Sequence, residues 1–140
     1  MKKIMGGASI FLALAIAILP MFTDCQSQGR SLALANGKTA PMKCHWTGIA
    51  EIGVALPLAV VGLFEIISKR KESFNFLSGT GAALGVMAIL FPTALIGVCA
   101  NPMMLCNMVM RPGLILSGAL VIGASVVVFI SSRKMAESAE

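Results

Sequence analysis

Eight consecutive residues, Cys44-His45-Trp46-Thr47-Gly48-Ile49-Ala50-Glu51, gather much of the reactive side-chain chemistry of this 140-residue chain. They hold its only histidine, its only tryptophan and one of its four cysteines. Glu51 follows Trp46 by five residues, which places it roughly 7–8 Å deeper along a helix axis. An unpaired carboxylate at that depth is costly unless it is protonated or finds a partner. Two readings stand side by side: an interhelical hydrogen bond near a membrane surface, or a functional acid serving as a proton or cation relay or meeting a partner's basic group. Thr47, one turn above on the same face, is placed to donate to it. Trp46 suits the headgroup layer, where an indole is half apolar and half wet. His45 reads as a solvated loop residue; being single, it acts only with the cysteines, a carboxylate or a partner chain.

The remaining cysteines are Cys25, Cys99 and Cys106. Local pairing, Cys25–Cys44 and Cys99–Cys106, is the simplest of three connectivities, and the cross-loop pairings stay open. Structural disulfides are the preferred reading, because no cysteine falls in a segment expected to face a reducing compartment. Methionine is also crowded here: Met103, Met104, Met108 and Met110 follow Cys99, and Met42 precedes Cys44. Thioether and thiolate are soft ligands that favour Cu(I) over hard cations, with Met42, Cys44, His45 and Cys106 as further candidates. None falls at a spacing diagnostic of a metal site, so no metal or cofactor is assigned.

The elements that must carry these residues are apolar. Fifty-seven per cent of the chain is hydrophobic and 12% charged, with a mean hydropathy of +0.89. A soluble domain of this size cannot hide that much apolar surface. The net charge of +5 is spread over short flanks with no aromatic-lined basic face, which excludes nucleic acid as the partner. Four apolar runs, about 4–22, 46–68, 76–98 and 113–130, each approach the roughly 20 residues needed to cross a hydrocarbon core. Residues 1–140 therefore read as one all-α integral membrane domain, a four-helix up-down bundle with two Cys-containing outer loops. The first run reads as an uncleaved span, since the Ala33-Leu34-Ala35 site lies too far beyond it.

Lys2, Lys3, Lys69, Arg70, Lys71, Arg133 and Lys134 lie on one side in short segments, against Arg30, Lys38, Lys43 and Arg111 on the other. That bias predicts a multi-pass protein of the plasma (cytoplasmic) membrane with both termini in the cytoplasm. Small residues recur at helical spacing: Ser9, Ala13 and Ala17; Ala55 and Ala59; Gly81 and Gly85; Gly113 and Ser117. They predict close helix packing within the bundle, with docking of another subunit as the second reading. Pro57 and Pro92 mark bends. Asn36-Gly37 predicts a hairpin in the first loop, Asn101-Pro102 a turn in the second, and Glu65 a helix pair with Lys69.

Met42-Lys43-Cys44-His45-Trp46-Thr47, then Ala50-Glu51, with a cysteine-bearing loop before the last span, resembles the domain-of-unknown-function 4418 family of small four-span bacterial and archaeal membrane proteins. The resemblance supports the topology and implies no activity. With no nucleotide-binding motif and no soluble domain, the function expected first is an accessory or structural subunit of a membrane complex, such as a transporter. Its partners are then the lipid bilayer and another integral membrane protein or a second copy. The alternatives are an extracytoplasmic thiol–disulfide oxidoreductase of the four-span type, although no pair is spaced Cys-x-x-Cys, and a soft-metal (copper) handling protein. No residue is assigned a catalytic role.

Overall fold

Lipid offers no partner for backbone N–H and C=O groups, so the apolar runs bond within themselves and fold as helices. The computed structural model describes residues 2–68 and 71–137, in which four helices are long and apolar enough to cross a membrane. These are α1 (Lys2–Thr23), α2 (Lys43–Ile67), α3 (Lys71–Leu90) and α4 (Arg111–Glu137). α1 packs along α2 and α3 along α4; the two hairpins then meet through α1–α4 and α2–α3. This is the expected up-down bundle. Its outward faces are apolar, with Phe11, Leu56, Phe76 and Leu116 all exposed, as a lipid-facing surface requires.

Without a hydrophobic effect between helices in lipid, close approach has to come from small residues. A Cβ on Gly62 would sit 2.9 Å from the Gly6 carbonyl oxygen, so α1 and α2 cross backbone to backbone there. A Cβ on Gly118 would lie 2.7 Å from the Gly85 carbonyl oxygen, and α3 and α4 cross in the same way. Ser9, Ala13 and Ala55 are buried within the bundle. The small-residue stripes therefore serve internal packing.

The third and fourth spans meet the loop between them differently from the apolar runs. α3 continues into one π-helical turn, Phe91–Leu95, and stops at Gly97. The Gly97 backbone has φ +78°, and its N–H and that of Ile96 both bond the Phe91 carbonyl, closing the helix end with a left-handed glycine. The fourth span begins with a second π-helical turn, Cys106–Met110, and runs directly into α4. The widened turn lets the helix run through Pro112, which has no N–H to give. Met108 and Met110 are thereby helical, and Met110 is fully buried.

In the first loop, β1 (Leu32–Ala33) pairs antiparallel with β2 (Thr39–Ala40). Leu34 N–H bonds the Lys38 carbonyl, and Gly37 takes φ +76° at the tip, the hairpin that Asn36-Gly37 predicts. Lys69 lies outside the described residues, and with it the expected Glu65–Lys69 pair. Glu65 is buried and accepts a hydrogen bond from the Ser9 hydroxyl at 3.0 Å.

A four-thiol cluster as the candidate functional site

Each cysteine sits at a helix end, and the up-down topology brings all four ends to one side of the bundle. Cys25 lies in the turn that leaves α1, where the Arg30 N–H bonds its carbonyl. Cys44 is in the first turn of α2, Cys99 in the link after Gly97, and Cys106 at the start of the fourth span. Cys25, Cys44 and Cys106 are buried; Cys99 is half-buried. The Cys25 sulfur is 3.5 Å from both Cys99 and Cys106, and the Cys99 sulfur is 3.4 Å from Cys44. All four sulfurs lie within 4.8 Å of one another.

Two thioethers flank this set. Met42 Sδ is 3.9 Å from Cys99 Sγ, and Met104 Sδ is 3.9 Å from Cys25 Sγ. Each of these sulfur contacts runs between the two loops, so the second hairpin completes a site that neither loop holds alone. The four cysteines are free thiols here.

Residues 6–130 match the family described as Domain of unknown function (DUF4418). The chain belongs to that family. The match takes in all four cysteines, and no curated protein and no solved structure matches the chain.

In this family member the motif residues around Cys44 divide by role. His45 does not stand alone in solvent: its Nδ1 is 3.0 Å from Asp24 Oδ2. Asp24 also accepts from the Ser27 N–H at 2.7 Å. Burial raises the Asp24 carboxyl, but the hydrogen bonds from His45 and then Ser27 outweigh it and hold it below its ordinary value of 3.8. Because Asp24 precedes Cys25 and His45 follows Cys44, this one pair ties the end of α1 to the start of α2 and sets the two cysteines face to face. Trp46 is 55% exposed beside His45, with ring centroids 6.1 Å apart. Gly48 has a packing reason, since a Cβ there would meet Pro20 at 3.1 Å.

Thr47 does not donate to Glu51, as the helical spacing suggested. Its hydroxyl donates instead to the Gly97 carbonyl at 2.7 Å. The end of a helix leaves carbonyls without intrahelical partners, and Thr47 satisfies one of them across the bundle. That bond anchors the second loop two residues before Cys99. Glu51, two turns below Cys44 on the same face, is fully buried, and neither carboxyl oxygen has a hydrogen-bond partner among the described residues. Every described lysine and arginine whose side chain is placed is exposed, so no cation offsets it from within the bundle.

The cluster's own electrostatics single out one sulfur. Burial, with the neighbouring thiols of Cys44, Cys99 and Cys106, pushes the Cys25 thiol well up. Burial acts on Cys99 too, yet the thiols of Cys44, Cys25 and Cys106 around it stabilise its thiolate and leave it below the ordinary 9.0. Cys99 is thus both the most accessible thiol of the four and the most easily ionised of the two that lie outside the spans.

Asp24, Gly97 and the joining of all four cysteines escaped the sequence reading. The one signal that was present is positional: every cysteine stands within a few residues of a span end, all on the same side.

Proposed function

We propose that the protein is a membrane-embedded soft-metal-binding protein that holds one thiophilic d10 ion among Cys25, Cys44, Cys99 and Cys106. The observation that carries this reading is the convergence of four thiols from four chain segments. An ion about 2.3 Å from each of four tetrahedral sulfurs sets those sulfurs about 3.8 Å apart. The contacts of 3.4–3.5 Å, within an overall spread of 4.8 Å, match that spacing. A disulfide requires about 2.05 Å, and an iron–sulfur cluster, with several atoms between its thiolates, a wider set. Binding displaces thiol protons, so affinity rises with pH.

The basic-residue bias supports placing this site on the extracytoplasmic side. The described residues form four spans joined by short loops, with the cluster at one end of the bundle. Handing the ion to a neighbouring membrane protein is therefore the natural form of the accessory-subunit role.

The test is metal content. Purified in detergent under reductant, stripped and reloaded with Cu(I) or Zn(II), the chain is expected to retain one ion, and Cys44→Ser with Cys106→Ser to retain none. Four titratable thiols that bind neither ion overturn the reading. A second state of the same site, two structural disulfides, is favoured by Cys25 standing 3.5 Å from two possible partners. Denaturing thiol labelling without reductant separates the two, since disulfides leave no free thiol.

A further inference from the structure

An open groove of about 350 Å³ lies against the cluster, lined by Met42, Lys43, Cys99, Asn101 and Met104 among others. It reaches the one cysteine that is not buried. Its walls carry the two thioethers, each 3.9 Å from a cluster thiol, Met42 from Cys99 and Met104 from Cys25. Two sulfurs held by one ion at about 2.3 Å stand about 3.8–4.0 Å apart. Each methionine is therefore within sharing distance of an ion that a cluster cysteine also holds. Met103, by contrast, is 82% exposed, and Met110 is buried in the fourth span. Of the crowded methionines, the fold selects Met42 and Met104.

We propose that Met42, Cys99 and Met104 form a transfer port for Cu(I), through which the ion passes into the four-thiol site; the proposal rests on that site binding metal. A neutral thioether is a ligand for soft, monovalent copper and a poor one for Zn(II). Cys99 adds the one cluster thiol that is not buried and that lines the groove. On capture, copper–thioether bonds and a copper–Cys99 bond form as bonds to the donor chelate break. The Cys99 proton leaves to water, and copper stays monovalent throughout. The ion then exchanges its thioethers for Cys25, Cys44 and Cys106, whose sulfurs surround Cys99 and whose displaced thiol protons pass to water. The port gives the site a preference that four cysteines alone lack.

The experiment uses the full chain in detergent, reduced and metal-free, with the Cu(I)–bicinchoninate complex as donor and Zn(II) as the comparison ion. Met42→Leu with Met104→Leu conserves volume. It is expected to slow Cu(I) uptake about tenfold, the scale on which groups supporting a metal site act, while leaving final copper content and Zn(II) uptake unchanged. Copper uptake at the wild-type rate, or equal slowing of both ions, overturns the port. A chain that takes up no Cu(I) at all overturns the underlying metal site instead. A second readout on the unmodified chain guards against misfolding of the variant. The Met42 and Met104 methyl resonances are expected to shift on substoichiometric Cu(I) and not on Zn(II), and stationary resonances under copper overturn the port.

Discussion

At the scale of single residues, the site combines thiols that differ in access and ionisation with an acid that has no hydrogen-bond partner among the described residues. Cys99 is half-buried and held below the ordinary thiol value, whereas Cys25 is buried and raised. Only the thiolate attacks an alkylating agent. In the reduced, metal-free chain, iodoacetamide at neutral pH is therefore expected to modify Cys99 before Cys25, and peptide mass spectra taken over time would reveal the order. Equal rates would mean that the surrounding thiols do not stabilise a charge on Cys99. Glu51 tests the opposite situation, a buried polar group that no described residue hydrogen-bonds. A carboxyl without partners in the spanning region costs on the order of 2–4 kcal/mol. Glu51→Leu is expected to stabilise the bundle against unfolding in mixed detergent by a sizeable part of that amount. Loss of stability instead would expose a hydrogen bond that Glu51 makes when the protein sits in lipid.

At the scale of elements, the cysteine end is where the helices depart from regular geometry. Two π-helical turns, Phe91–Leu95 and Cys106–Met110, flank the second loop. Such turns shift the residues beyond them around the helix axis, and they recur at functional sites. Here they help set the direction from which Cys99 and Cys106 reach the cluster. Gly97 is the pivot, with φ +78° and a carbonyl that accepts from Thr47. An alanine forced into that conformation costs about 1–2 kcal/mol. Gly97→Ala is expected to lower thermal stability by that amount and to weaken metal retention, while Gly79→Ala, on an open helix face, changes neither. A Gly97→Ala chain that melts like the wild type would remove the second loop's anchor from the argument.

At the scale of the whole molecule, four antiparallel spans put both loops, and so all four cysteines, at one end. The basic residues propose which end faces out. Reporter fusions near residues 36, 70, 105 and 138 are expected to read outside, inside, outside and inside. The reverse order would place the cluster in a reducing compartment, where structural disulfides are excluded but a thiolate metal site is not.

The helices themselves were legible because the demand that lipid makes is local: each span satisfies its own backbone, and its length and composition announce it. The Asn36-Gly37 hairpin was legible for the same reason, since three residues and one left-handed glycine determine the turn. The common end of the cysteines also followed once the spans were counted. What only tertiary structure decided is which sulfur meets which. Cys25 touches Cys99 and Cys106 across 74 and 81 residues of sequence, and local pairing within each loop has no knowledge of the other hairpin. Their approach depends on the glycine crossings that bring the helices close and on the turns that rotate their ends. It depends too on single side-chain ties such as Asp24–His45 and Thr47–Gly97. Those are differences of a fraction of a helical turn, which periodicity in sequence does not encode, and they separate a pair of braced loops from one four-sulfur site.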